Sequence, residues 1–311
     1  MKKALVLGAE GQDGQLLTDF LRRKKYLILG VGKNISLSTD KRHWPAMDVS
    51  NFQSVSNVIK SFSPDEIYYL AAYHYPSQNK ELHSSADLWA NSFSTHVLGL
   101  TNVLESIRLY NQAIKLFYAS SCLIFGNTAV SPQTEDTPFV PNEIYALTKA
   151  TGMQVCQYYR EQYCLFAASG ILYNHESILR AKNFVSQKII QGALSIKNGK
   201  ADYLDLGNVS TEIDWGYAPN FVAAMYQILQ LDHAEDFIIA TGKSHTVLDF
   251  VVQAFSYLGL DWSKHVRVNN SIIQRQRGKL VGDFSKLRSK TGWKPTVSFN
   301  QMIVNMINGD I

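Results

Sequence analysis

The chain is expected to fold as an α/β protein, a doubly wound parallel sheet with a smaller C-terminal region added to it. Three observations predict this. Short apolar runs suited to buried strands alternate with amphipathic helical stretches from the start of the chain to about residue 260. The first of these runs leads directly into a glycine-rich turn and then a helix. Later runs end in small or polar residues at their carboxyl ends, where an open α/β sheet binds its ligand.

Lys3-Ala4-Leu5-Val6-Leu7 reads as the first strand, followed by Gly8-Ala9-Glu10-Gly11-Gln12-Asp13-Gly14. A helix comes next, with Leu16, Leu17, Phe20 and Leu21 on one face. Strand, glycine turn and helix together form the context that a dinucleotide-binding Rossmann fingerprint requires. Gly8, Gly11 and Gly14 let backbone approach a pyrophosphate, and the helix N-terminus offers free N–H groups and a positive dipole end. Gln12 and Asp13 are counted with this loop as cofactor-binding candidates. Residues 26–31 form a second strand ending at Gly32-Lys33-Asn34. An acidic residue here would bind the ribose 2′-hydroxyls of NAD. None is present, and Lys33 suits a 2′-phosphate, so NADP is favoured over NAD; the competing reading is a solvated surface lysine. Asp48 is expected at a third strand end, close to the adenine.

Residues 64–72 read as the next strand, closing on Leu70-Ala71-Ala72 beside the cofactor. A helix over about 86–110 follows, and a strand over residues 114–121 brings Ser121 to the same rim. The next helix opens with Asn142-Glu143-Ile144-Tyr145-Ala146-Leu147-Thr148-Lys149. Tyr145 and Lys149 stand four positions apart, so they share a helical face one turn from each other. An ammonium beside a phenol favours the phenolate and lowers its pKa toward working pH. A half-buried Tyr beside a snorkelling Lys satisfies the same spacing. Ser121 and the glycine loop make Ser121, Tyr145 and Lys149 catalytic candidates, with Tyr145 and Lys149 also touching cofactor.

The strand over residues 165–172 runs into Tyr173-Asn174-His175-Glu176-Ser177. Helices are expected over 181–197, 220–231 and 247–258, and strands over 203–206 and 236–240. Residues 282–295 form a last small helix and turn. This organisation puts a dinucleotide-binding domain at residues 1–170, with elements from about 215–260 returning to it. Residues 171–311 are mainly substrate-binding.

Hydrophobic residues make up 46% of the chain and charged residues 18%, a soluble globular balance rather than a disordered one. The net charge of +4 suits an anionic small molecule and is too small and dispersed to indicate nucleic acid. Cys122, Cys156 and Cys164 are odd in number and lack metal-type spacing, so a reduced compartment and no metal are expected. No apolar leader precedes the first strand and no apolar run is of membrane length, so the cytoplasm is the expected location.

Several motifs taken together are specific. They are Gly8-x-x-Gly11-Gln12-Asp13-Gly14, Leu70-Ala71-Ala72, Tyr145-x-x-x-Lys149 and Gly170-Ile171-Leu172-Tyr173-Asn174-His175-Glu176-Ser177. Leu206-Gly207-Asn208, Asp214-Trp215-Gly216, Ile239-Ala240-Thr241-Gly242 and Gly292-Trp293-Lys294-Pro295 follow. Over almost its whole length the chain resembles the GDP-mannose 4,6-dehydratases, within the extended short-chain dehydrogenases/reductases. The resemblance implies a redox-neutral reaction on a GDP-hexose. A tyrosine takes the O4 proton while NADP accepts hydride from C4, a glutamate removes the C5 proton, water leaves C6, and hydride returns to C6. By position Tyr145 is the base at O4, Lys149 binds the nicotinamide ribose, and Ser121 stands where the family has threonine. Asn174, Glu176, Arg180 and Arg275 are the implied substrate-binding residues.

Three features depart from the family. It reads Ser-Thr-Ser-Glu-Leu-Tyr-Gly where this chain reads Ser120-Ser121-Cys122-Leu123-Ile124-Phe125-Gly126, so the C5 base falls on Leu123. Ile213 replaces an arginine that contacts the diphosphate. The loop after Lys33 is shorter than the family's, which favours a homodimer over a tetramer. The redox half of the chemistry is present and the dehydration half lacks its base. A 4-ketoreductase or epimerase on a nucleotide sugar, needing no such base, is the alternative, and a non-catalytic nucleotide-binding partner subunit is the other class.

Overall fold

The computed structural model describes residues 1–33, 36–37, 43–73, 84–269, 272 and 278–311. β1 (Lys3–Leu7) is buried beyond Lys3, and α1 (Gln12–Arg23) carries the chain back so that β2 (Leu27–Val31) pairs parallel to it. A two-residue ribbon of β3 (Ser36–Leu37) and β4 (His43–Trp44) follows. The third sheet strand expected before Asp48 is not formed among the described residues. A single bridge joins Gly32 to Ala46 there, and Pro45, having no N–H, cannot extend it into a ladder. α2 (Phe52–Phe62) is capped by Asn51, whose side chain accepts from the Ser54 N–H.

β5 (Glu66–Tyr69) is wholly buried. The helix expected over 86–110 is α3 (Ser85–Phe93) and α4 (Gly99–Tyr110), joined by a π-helical turn, Ser94–Leu98. At that turn the Tyr69 hydroxyl donates to the Thr95 carbonyl at 2.5 Å, drawing on an acceptor that a regular helix would use internally. β6 (Lys115–Ser121), α5 (Ile144–Tyr163) and β7 (Ala167–Leu172) complete the first half.

The second half begins with β8 (Asn174–Glu176), α6 (Val185–Lys197), β9 (Leu204–Leu206) and β10 (Glu212–Tyr217). α7 (Ala218–Leu229) and β11 (Asp236–Ile239) then rejoin the main sheet, where β11 pairs parallel to β7. β12 (Ser244–Thr246), α8 (Val247–Tyr257), α9 (Trp262–His265) and β13 (Val266–Val268) follow, and α10 (Ser285–Thr291) and α11 (Phe299–Asn308) close the chain.

The main sheet runs β11-β7-β6-β5-β1-β2, and every neighbouring pair is parallel. This is the doubly wound α/β architecture. The chain first builds outward from β1 to β2 and then resumes on the other side with β5, which leaves a crevice at the carboxyl ends between them. One core surrounds this sheet. A second gathers Trp215, Phe250, Phe255, Met302 and Ile303 from β10, α8 and α11. Of residues 215–260, α7 and β11 therefore return to the sheet, and α8 belongs to the second core. α2 and α11 were not anticipated. The spacing of Phe299, Met302, Ile303 and Met306 behind the Ser298 cap is a helical pattern that the sequence does carry. No described helix is long and apolar enough to cross a membrane.

Candidate active site

The carboxyl ends of the central strands open into a cleft of ≈ 1090 Å³. Gly8 turns the chain out of β1 with φ +88°, and a Cβ there would press on the Ala71 backbone. Gly11 caps α1 with no side chain over the helix end, and both glycines line the cleft. Gly14 lies behind them. A Cβ on it would run into the Gly8 carbonyl and the Ala9 backbone, so this glycine serves the packing of α1 on the turn. Leu70, Ala71 and Ala72 line the cleft past β5, and Lys33 and Asp48 line its far end.

Gln12 and Asp13 tie the glycine turn to the segment after β7. The Gln12 amide donates to the His175 carbonyl at 3.1 Å and its oxygen accepts from Ser177 at 2.9 Å. His175 Nδ1 lies 2.6 Å from the Tyr173 carbonyl, which can only accept, and Nε2 lies 2.9 Å from Asp13 Oδ2. With Asp13 ionised both ring nitrogens must donate, which makes His175 an imidazolium. Burial acts to raise Asp13, but the charge and hydrogen bond of His175, with Arg180 and Gln12 adding to them, leave its carboxyl below its ordinary value. Burial likewise acts to lower His175, and Asp13 outweighs it, so the imidazole is held above its ordinary value. The sign of the pH dependence follows. Asp13 contributes stability at neutral pH that is lost as pH falls through its lowered pKa. His175 contributes stability that is full below its ordinary 6.5 and lost as pH rises through its raised pKa. Asp13→Asn is therefore expected to cost about 3 kcal/mol near pH 6 and less near pH 9. Urea unfolding across that range measures it, and a gap that does not change with pH contradicts the charged pair.

Ser121 ends β6, and its hydroxyl accepts from the Leu123 N–H at 3.3 Å, capping the 3-10 turn Cys122–Phe125. Tyr145, in the first turn of α5, is half-buried and lines the same cleft. Its ring meets His96 edge-on at 5.2 Å. His96 Nε2 accepts from the Tyr73 N–H at 2.9 Å, so Nδ1 carries the proton and donates to Thr148 at 2.8 Å. No sequence pattern singled out this buried histidine beneath Tyr145.

The spacing does place Lys149 beside Tyr145, with its ammonium 5.7 Å from that ring and 5.0 Å from the Tyr118 ring. The electrostatic expectation is corrected, however. Lys149 donates to the Ala119 carbonyl at 2.7 Å, and burial alone pulls its ammonium down to about 7. Burial pushes the Tyr145 phenol up from its ordinary value, and Arg180 is the cation that works against this shift.

Leu123, Ile213, Asn174 and Arg180 all line the cleft. Glu176, expected at the substrate, is 1% exposed and is not among the lining residues. It accepts from Ser186 at 2.6 Å and pairs with Arg180 at 3.3 Å, so it holds the arginine from behind. The guanidinium lies 3.6 Å above the Phe184 ring. Arg275 lies outside the described residues. Asp214 is also buried, and it accepts from the Thr241, Gly242 and Gly282 backbones, which ties two loops to β10. The Asp214-Trp215-Gly216 motif is in this respect structural.

A Rossmann sheet with Ser, Tyr and Lys gathered beside its glycine turn defines an enzyme of the extended short-chain dehydrogenase/reductase type. The family model of GDP-mannose 4,6 dehydratase matches residues 5–306. GDP-mannose 4,6 dehydratase 1 of Arabidopsis thaliana is 36% identical over 333 residues, covering 100% of this chain and 90% of that protein. The chain thus belongs to the GDP-mannose 4,6-dehydratase family. In fold it is similar to the dTDP-glucose 4,6-dehydratase of Bacillus anthracis in complex with NAD, with a TM-score of 0.84, 18% identity, and coverage of 99% and 96% of the two chains. RMD from Pseudomonas aeruginosa complexed with NADPH is similar at TM-score 0.83 and 17% identity, covering 99% and 98%.

Proposed function

We propose that this protein is an NADP-dependent enzyme acting at C4 of a GDP-hexose, as a cytoplasmic homodimer, with a dehydration step that lacks its base. The observation that carries the reading is the meeting of Ser121, Tyr145 and Lys149 with Leu123 in one cleft that also holds the glycine turn. The residues fit a dinucleotide. Ser120 Oγ is buried without a hydrogen-bond partner in a residue that lines the cleft, a cost that a bound polar ligand relieves. When bound, the nicotinamide supplies the hydride acceptor and donor.

The chain's own part is proton handling and positioning. Tyr145 exchanges the proton of the sugar O4, and Ser121 offers a second hydroxyl to the same oxygen. Lys149 takes up charge in the complex, where ligand hydroxyls offset its burial. Arg180, aimed by Glu176 and Phe184, supplies a fixed positive charge beside the phenol. Leu123 neither gives nor takes a proton, and Glu176 is engaged elsewhere. A 4-ketoreductase is the second reading, and the apolar Leu123 side chain in the cleft favours it, because reduction at C4 requires no base at C5.

Incubation with GDP-mannose and NADP is expected to yield no 4-keto-6-deoxy product. Incubation of that 4-keto sugar nucleotide with NADPH, followed by nicotinamide absorbance, tests the reductase. Robust dehydration by the wild-type protein would overturn the missing-base reading. Absence of turnover in both assays would favour a binding-only subunit.

A further inference from the structure

The start of α1 carries an acid where an anionic ligand is expected to dock. Asp13 stands in the first turn of this helix and lines the cleft. The same helix end offers free N–H groups and a positive dipole to a pyrophosphate. A bare carboxylate there would repel the phosphates that the turn attracts. The fold brings a cation against it. His175 Nε2, from β8, lies 2.9 Å from Asp13 Oδ2, and the Gln12 amide donates to Oδ1 at 3.2 Å. Both carboxylate oxygens are thus engaged from within the protein. The imidazole is held in its turn by the Tyr173 carbonyl, 2.6 Å from Nδ1, and by the Phe221 ring, stacked at 4.6 Å. The imidazole is 8% exposed and the carboxylate 20%, so water screens the pair weakly. Arg180 is the other charged group that acts on both.

We propose that His175 is a positioning residue for dinucleotide binding: acting through Asp13, its imidazolium cancels the carboxylate charge at the start of α1, so that the turn receives an anionic pyrophosphate without repulsion. The pair answers two demands at once. Asp13 fastens the segment after β7 to the glycine turn, beside the bonds from Gln12 to the His175 carbonyl and from Ser177 to Gln12. That segment also carries Arg180 into the cleft, so the fastening joins the cofactor side to the substrate side. The cost of using an acid for this purpose is like charge beside the phosphates, and like charges held together at a binding site lower affinity. The imidazolium removes that cost while forming a charge-assisted bond with the same carboxylate. This inference rests on the dinucleotide reading of the cleft.

Calorimetric titration of the full-length protein with NADP and with NAD, near neutral pH, measures the effect. His175→Gln keeps a donor for Asp13 Oδ2 and removes the positive charge. It is expected to weaken dinucleotide binding by about tenfold or more. The double variant Asp13→Asn/His175→Gln removes both charges and is expected to return affinity to within about threefold of the wild type. Asp13→Asn alone is expected to bind at least as tightly as the wild type. Unchanged affinity in His175→Gln overturns the proposal. So does a double variant as weak as His175→Gln, because the loss then comes from packing and not from charge. Weaker binding by Asp13→Asn would make that carboxylate a ligand of the dinucleotide and overturn the proposal as well. Wild-type protein that binds neither dinucleotide overturns the reading of the cleft itself, and the proposal with it.

Discussion

Leu123→Glu is expected to add a dehydration step, with 4-keto-6-deoxy product forming from GDP-mannose about 10²–10⁴ times faster than in the wild type. The backbone is already suited to it. Leu123 sits in the short 3-10 turn capped by Ser121, partly buried and lining the cleft, so a glutamate there projects toward the space next to the sugar's C4 contacts. It packs against the main core, and burial raises a carboxyl's pKa toward the range where a base is effective at neutral pH. Leu123→Gln is the matching control, with the same shape and no proton to exchange. Product from Leu123→Gln at the rate of Leu123→Glu would mean that size or polarity was limiting and that no base was missing.

Tyr145→Phe should lower any C4 oxidation or reduction by about 10²–10⁴ while leaving dinucleotide affinity close to wild type. The phenylalanine retains the edge-on contact with His96 and the packing of α5, so the loss reports on the hydroxyl. Burial holds that phenol protonated, which suits a group that delivers a proton to O4 and makes it a poor base until charge is brought near. Arg180 is the cation whose charge works against that shift. Single-turnover rates separate chemistry from binding, and a variant with full turnover would remove Tyr145 from the proton path.

Much of the site could be read from the chain because strand ends and helix spacing are local properties. The alternation of buried strands and amphipathic helices brought Gly8, Ala71 and Ser121 to one rim, and four-residue spacing put Lys149 beside Tyr145. Three features were not readable in this way. Glu176 looked like a substrate contact because it sits in a motif beside Asn174. The two are two positions apart, a spacing that would give them one face of a strand, yet Glu176 is buried against Ser186 and Arg180, contacts that come from later segments of the chain. The helix over 86–110 acquired a π-helical turn because a hydroxyl from another strand, that of Tyr69, competed for a carbonyl. Four-residue spacing implies a lowered phenol pKa, and spacing does not contain the cost of burying the lysine.

By itself the sequence determined the parallel sheet, the glycine turn at its first strand and the presence of Ser121, Tyr145 and Lys149, together with the absence of a proton-transfer group at Leu123. These follow from periodicity and residue identity along short stretches. The tertiary structure alone decided which charges meet. Asp13 pairs with His175 across 162 positions of chain, His96 lies under Tyr145, and Glu10 reaches the tip of β2 beside Lys33. The reason is electrostatic. A side chain's charge state is set by its burial and by the groups within a few ångströms of it, and folding brings those groups together from segments that are far apart in sequence.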